Sequence, residues 1–307
     1  MRVITPITIT AATNTTIAEP DTTLAIPEAT YNAGTTYALA ALVISTTTHK
    51  KYESRQAANL GKPLPVPPET KTDWWIEVGA TNKWAMFDLA RNTQSVGNSP
   101  MSITFTPGER INSIGVLGMV ADSVTITMTS SGAEVYRSTT TLTYRRVNDG
   151  YDYAFEPFGR RPSVVKFDLP PITNGIVTVL LTIAAGQVSC GSIIVGTFDY
   201  IGKAKFNAES DSINFSTITR DIYATATLVP RRTVPSTSQE LVLEKARVDR
   251  VRDVRTNLNA VPALWSVFDD VNNDYAESLI ILGIYKRFKI NIANPNHAIV
   301  NLELEEI

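Results

Sequence analysis

Threonine, set among aliphatic residues, recurs in short runs over much of this 307-residue chain. Examples are Thr8-Ile9-Thr10, Thr13 to Thr16, Thr46-Thr47-Thr48, Thr125-Ile126-Thr127-Met128-Thr129 and Ser138-Thr139-Thr140-Thr141-Leu142-Thr143. Alternation of apolar and polar residues puts one kind of side chain on each face of an extended backbone, so it is the signature of strands with one wet face. Threonine is β-branched and suits that geometry. Helical periodicity is nearly absent, and its best candidates, Thr36 to Ile44 and Ser54 to Leu60, are both short. The chain reads as all-β.

Turn signals divide the middle of the chain into a series: Pro107-Gly108, Ser131-Gly132, Asn148-Asp149-Gly150, Pro170-Pro171, Asn174-Gly175 and Ala185-Gly186. Between them, strands are expected at Ser102 to Phe105, Ser113 to Gly118, Ser123 to Met128, Ala133 to Tyr136, Ser163 to Leu169, Ile176 to Ile183 and Ser189 to Val195. Short strands joined by short turns argue for an antiparallel two-sheet sandwich, jelly-roll-like in character. Four regions follow. Residues 1–20 read as an extended arm suited to pairing with a neighbouring subunit or domain. Residues 21–88 form a small aromatic module, 89–230 the sandwich, and 231–307 a C-terminal β region. That last region is either a third unit or strands completing a sheet with the arm, at Glu240 to Val254, Ala263 to Phe268, Leu279 to Ile284, Phe288 to Ile292 and Ile299 to Leu304.

Composition narrows the function. Net charge is -2, so no global field points to nucleic acid or an anionic membrane. One cysteine, Cys190, excludes an internal disulfide and argues against a thiolate metal site. The two histidines, His49 and His297, lie far apart without ligand-spaced partners, so no metal or cofactor is implied. Met1-Arg2-Val3-Ile4-Thr5-Pro6 lacks a signal-peptide core, and no run of about 18 apolar residues offers a transmembrane helix. A cytosolically made protein without membrane insertion is expected.

Three of the four tryptophans fall in one stretch, Trp74, Trp75 and Trp84, after the proline-rich approach Gly61-Lys62-Pro63-Leu64-Pro65-Val66-Pro67-Pro68. With Tyr31 and Tyr52 they are the candidate ligand residues, because sugar rings stack on aromatic faces while Asp73, Glu53 and Asn82 could meet hydroxyls. Adjacent Trp74 and Trp75 in a strand must point to opposite faces, so one belongs to the core and the other is the better candidate. The plainer reading is that these aromatics fill a module too small for any other core.

The segment Trp75-Ile76-Glu77-Val78-Gly79-Ala80-Thr81-Asn82-Lys83-Trp84-Ala85-Met86-Phe87-Asp88 resembles a W-x-x-x-G-x-x-N-x-W-x-M-F-D signature of tail-associated structural proteins of tailed bacteriophages. There it closes an N-terminal module and opens a β-sandwich. The blocks Ile111 to Met128, Cys190 to Gly196 and Leu282 to Phe288 continue the likeness, which covers most of the chain from about residue 30. Within residues 30–80, Tyr31-Asn32-Ala33-Gly34-Thr35, Val43, Tyr52-Glu53-Ser54, Gly61-Lys62-Pro63 and Trp74 or Trp75 are similar to small chitin-binding-type carbohydrate modules. The departures are Thr35 where those modules carry Asp, and a longer proline stretch. The resemblance implies a virion protein of tail or baseplate, bound to copies of itself and to other virion proteins, with host surface polysaccharide as a further ligand.

Other groups read as structural. Asp149 and Asp152, and Asp269, Asp270 and Asp274, look like turn residues that bond local amides and not like an acid–base pair. If one of these pairs were catalytic, the alternative would be a polysaccharide-degrading tail enzyme. Arg145-Arg146, Arg160-Arg161 and the run Arg247, Arg250, Arg252 and Arg255, interleaved with Asp249 and Asp253, suit a solvated or subunit-facing strand. Gly191 and Gly196 relieve crowding, and Cys190 is a small buried hydrophobe. The expected function is non-enzymatic assembly.

Overall fold

The computed structural model describes residues 1–10, 12–145, 147–206, 208–267, 277–292 and 294–307. The strand Ser123–Ser130 shows why the threonine runs fold as they do: Val124, Ile126 and Met128 are buried, and the threonines between them face outward. It turns through Ser131 (φ 52°) and Gly132 (φ 78°) into Ala133–Thr141. Both turn residues adopt the left-handed region that a tight two-residue hairpin demands. An antiparallel five-stranded sheet results, in the order Ala133–Thr141, Ser123–Ser130, Ile176–Thr182, Met101–Phe105, Ala12–Thr15. Hydroxyls cross-link its outer face, with Thr104 to Thr178 at 2.9 Å and Thr125 to Thr139 at 3.0 Å.

Its inner face packs on part of a ten-stranded antiparallel sheet. The order there is Val164–Lys166, Ser113–Leu117, Ser192–Tyr200, Arg2–Pro6, Ala263–Ser266, Ile280–Asn291, His297–Glu306 and Thr233–Glu244. Lys203–Ala204 and Glu209–Asn214 complete it along the outer side of Thr233–Glu244. Ile103, Phe105, Ile126 and Val179 from the small sheet meet Ile114, Val116, Ile193 and Val195 from the large one in a single core. The all-β expectation holds, and the body is a two-sheet sandwich.

Of the two partners open to residues 1–20, a subunit or a domain, the strands in this segment pair within the chain. Arg2–Pro6 lies inside the large sheet, paired on one side with Ser192–Tyr200 and on the other with Ala263–Ser266. Val3 and Ile4 are fully buried, and Ala12–Thr15 crosses to the edge of the small sheet. A strand with both ladders satisfied and both faces covered has nothing left to offer another subunit. Residues 231–307 join this same strand, so they complete a sheet with it. Gly196 makes the junction feasible, since a Cβ there would sit 2.0 Å from the Thr5 carbonyl oxygen.

The C-terminal region departs from expectation in two places. Glu240 to Val254 is not one strand: Thr233–Glu244 ends, and Val248–Asn257 is a helix. Val251, Val254 and Leu258 are buried on one face of this segment against Leu241, Trp265 and Phe288, and their three-to-four residue spacing is helical. Its arginines therefore ring a helix surface, where Arg250 reaches Asp199 at 2.7 Å and Arg252 approaches Asp249 at 3.6 Å. Leu279 to Ile284 and Phe288 to Ile292 are one strand, Ile280–Asn291, with a bulge between Tyr285 and Arg287. The segments Thr36 to Ile44 and Ser54 to Leu60 form no helix; Ala40 (φ 64°) and Ala58 (φ 55°) break each of them. Phe268, Asp269, Asp270, Asp274 and Arg146 lie outside the described residues. No helix among the described residues is long and apolar enough to cross a membrane.

Candidate functional site

The tryptophan region builds from a three-stranded sheet, Leu42–Ser45, Lys50–Ser54 and Trp75–Ala80. The sheet is too small to bury a layered core, so aromatics serve as one. Trp75 and Tyr52 are fully buried with Val43, and Tyr31, Tyr37, Leu64 and Trp74 close around them. Trp75 meets Tyr31 and Tyr37 edge-on at 5.7 and 5.3 Å. The Lys62 carbonyl accepts from the Trp75 indole N–H at 2.9 Å and from the Tyr31 hydroxyl at 2.7 Å, which pins the proline-rich loop over the cluster. Burial, with a smaller contribution from Tyr37, holds the Tyr31 hydroxyl above its ordinary pKa.

Of the five aromatic candidates, Tyr52 and Trp75 have no exposed face on which a sugar could stack. Trp74 precedes the strand Trp75–Ala80, is half-buried and packs against this cluster, and the Lys62 ammonium lies 4.8 Å from its ring centre. Tyr31 is half-buried and stacks on Tyr37 at 6.0 Å. Trp84 is not part of this cluster; it packs against the sandwich core with Phe87.

What joins the module to the sandwich is a knot of buried polar groups. Glu19 accepts from His49 Nδ1 at 2.9 Å, from the Trp84 indole at 3.0 Å and from the Thr81 hydroxyl at 2.8 Å, and the His49 ring stacks on Trp84 at 4.4 Å. Beside it, Glu28 accepts from the Asp21 and Asn82 backbone amides at 2.9 and 2.8 Å. Asn82 then uses its whole side chain. Nδ2 donates to Asp21 Oδ2 at 2.6 Å and to the Val96 carbonyl at 2.8 Å, and Oδ1 accepts from the Val96 amide at 2.9 Å. Downstream, Met86 is buried in the main core, and Asp88 accepts from the Ala90 amide and the Thr93 hydroxyl. Burial raises the Asp88 pKa, only partly offset by those donors. In the Asn82 to Asp88 part of the signature, Asn82 and Trp84 thus fasten the module to the sandwich, and Met86 and Phe87 pack into the sandwich core.

Carboxylates elsewhere are spent in the same way. Asp149 caps the helix Gly150–Phe155 by accepting from the Tyr151 and Asp152 amides, and Asp152 accepts from the Asn148 amide at 3.0 Å. Glu277, bonded to the Ser163 hydroxyl at 2.8 Å and 3.6 Å from Arg91, is pushed above its ordinary pKa mainly by burial.

Two exposed features escaped the sequence reading. The first is a two-stranded ribbon. Glu209–Asn214 pairs with the start of Thr233–Glu244, and beyond the sheet the ribbon continues as Thr217–Arg220 against Ala226–Val229. Every described residue from Phe215 to Arg232 is exposed except the half-buried Ser216, so this part lies over no core. At its tip Asp221 accepts from the Tyr223 and Thr225 amides at 2.9 and 2.8 Å, and Ile222 and Tyr223 project at 91% and 82% exposure. The second is a crest on the helix Gly150–Phe155, which buries none of its residues. Tyr151 is 72% exposed, and Tyr153, Phe155 and Phe158 are each 69% exposed. Arg145 supports Tyr153 and Phe158 at 5.4 and 5.3 Å. The helix sets Tyr151 and Phe155, four residues apart, on one face, where their rings pack at 4.8 Å.

No protein-family model matches this chain, and no curated protein matches it, so its function must follow from its own residues and geometry.

Proposed function

We propose that this chain is a non-enzymatic structural protein of a bacteriophage tail or baseplate that assembles as a homo-oligomer in the virion. The observation that supports this reading best is the projecting ribbon of residues 215–232, apolar at its tip and uncovered on both faces. A lone two-stranded hairpin is marginal in water, and exposed Ile218, Ile222 and Leu228 disfavour it further, so such an arm belongs against another chain. The rest of the molecule suits a rigid building block, with one extensive sheet and a module fastened by buried hydrogen bonds. The signature around Trp84 favours the virion setting. Host polysaccharide is a second contact in that setting, with Trp74 and Tyr31 the candidate ligand residues of the cluster that retain exposed surface.

Electron microscopy of virions labelled with an antibody to this chain tests the setting: label on the tail is expected, and virions free of label would overturn it. A polysaccharide-degrading enzyme is the competing reading, and it would need acids other than the cap-forming Asp149 and Asp152. Sustained release of reducing ends from host polysaccharide by the purified protein would establish that reading instead.

A further inference from the structure

Asn174-Gly175 is the only Asn-Gly pair in the sequence, and it forms the turn that enters strand Ile176–Thr182. Thr173 and Asn174 are exposed. Neither the Asn174 side-chain amide nor the Gly175 N–H bonds to any described residue. Comparable groups elsewhere are held. Asn32 Oδ1 accepts from the Gly34 amide at 2.8 Å, Asn112 Oδ1 accepts from the Phe198 amide at 2.9 Å, and Asn82 spends its whole side chain. In Asp149-Gly150, the carboxylate is tied to the Tyr151 and Asp152 amides. Glycine at 175 is fixed by packing: it is buried, and a Cβ there would lie 2.0 Å from Met128 Cε. The core therefore demands a residue without a side chain directly after an unrestrained asparagine.

We propose that Asn174 is a site of spontaneous covalent modification, converting to aspartate and isoaspartate in the folded protein with water as the co-reactant. Asparagine is chemically labile because the next backbone nitrogen can reach its side-chain carbonyl carbon, and glycine leaves that approach unobstructed. The Gly175 nitrogen loses its proton to solvent base and attacks Asn174 Cγ. The N–Cγ bond forms, the Cγ–Nδ2 bond breaks, and ammonia leaves with the proton, closing a succinimide. Water then opens the ring. Cleavage of the N–Cγ bond gives aspartate, and cleavage of the original peptide bond gives isoaspartate, with the backbone running through Cγ. Gly175 is buried, so the exposed Asn174 side chain makes the movement that brings the atoms together. Either product adds one negative charge to a chain of net charge -2. Isoaspartate also lengthens the backbone by one methylene. Ile176–Thr182 is held on both sides, by Ser123–Ser130 and Met101–Phe105, so the loop Pro171 to Asn174 takes up that length and the fold survives. The inference is independent of how the chain assembles.

The test ages the full folded chain at physiological temperature, at neutral and at mildly alkaline pH, and follows each asparagine by peptide mapping and mass spectrometry. The peptide carrying Asn174 should gain the mass of an amide turned acid several-fold sooner than any other asparagine peptide, and sooner at the higher pH. An isoaspartyl methyltransferase should label that peptide. Circular dichroism of the aged protein should match that of fresh protein. Asn174→Gln is the control: the position is exposed, so the variant folds, and the longer side chain closes the corresponding ring far more slowly. It should remove the early methyl-accepting peptide and leave slower sites unchanged. An Asn174 that stays an amide while another asparagine converts first overturns the proposal, as does conversion no faster than at the exposed Asn98 and Asn259. Early methyl acceptance that persists in Asn174→Gln overturns it as well.

Discussion

Asn82 carries the sharpest test of the buried junction. Its amide lies 2.6 Å from Asp21 Oδ2, and Asp21, Glu28 and Asn82 are all buried. Asn82→Asp keeps the shape and replaces that donor with a carboxylate oxygen. Two full charges at this separation would repel by roughly 6 kcal/mol at an effective dielectric near 20. The variant has a cheaper route, which is to fold with a proton on position 82. That costs about 1.4 kcal/mol for each pH unit above the unfolded carboxylate pKa near 4, hence about 4 kcal/mol at pH 7. The introduced carboxyl thus has a raised folded pKa, so the loss shrinks as pH falls. Near pH 4 the protonated acid donates to Asp21 and still accepts from the Val96 amide, leaving about 1 kcal/mol for the lost bond to the Val96 carbonyl. Asn82→Ala instead strands the Val96 amide and carbonyl at every pH, for about 3 kcal/mol. Urea unfolding of both variants and wild type from pH 4 to pH 7, followed by tryptophan fluorescence, separates the two behaviours. An Asn82→Asp penalty below about 1 kcal/mol at pH 7, or one independent of pH, would refute a dry, fully paired junction.

Gly196→Ala should prevent soluble expression or cost more than about 4 kcal/mol, because strand Arg2–Pro6 must move away from Ser192–Tyr200; urea melts would check it, and a wild-type midpoint would contradict the pairing. Burial pushes the Cys190 thiol up to about 12 from its ordinary 9.0, so a thiol reagent should label it only in denaturant. The folded state holds that proton where the unfolded chain releases it, so this group's contribution is intact below about pH 9 and falls as pH rises from about 9 to about 12; Cys190→Ala should flatten that part of the stability profile measured by urea titration. Trp75→Ala should destabilise by about 3–5 kcal/mol and Trp74→Ala by clearly less, measured by thermal melts, with equal losses contradicting the core assignment.

Much of the fold was legible in the chain because period two is a local property. Thr125, Thr127 and Thr129 against Val124, Ile126 and Met128 declare a half-buried strand whatever surrounds them, and Ser131-Gly132 declares its turn. The same locality misled in Glu240 to Val254, where valine's preference for strands concealed the helical spacing of Val251, Val254 and Leu258. For the site, the residue types of the tryptophan cluster were legible; that Trp74 precedes the strand and packs on the same cluster as Trp75 was not. That Asn82, Glu19 and Glu28 would converge was not, since they lie up to 65 residues from their partners.

Most strands and turns and the aromatic core of the small module follow from local chemistry, because alternation, turn propensity and ring size act within a few residues. Which segment projects from the body depends on the assembled sheets. Arg2–Pro6 read as an arm for a neighbouring subunit or domain and is a central strand of the large sheet; Phe215 to Arg232 carried no mark and projects. Both are short β segments rich in threonine and aliphatic residues, and nothing local distinguishes a strand with two neighbours from one with none. That difference lies in ladder partners almost 200 residues away, such as Ser192–Tyr200 for Arg2–Pro6, and it appears only when the sheet closes.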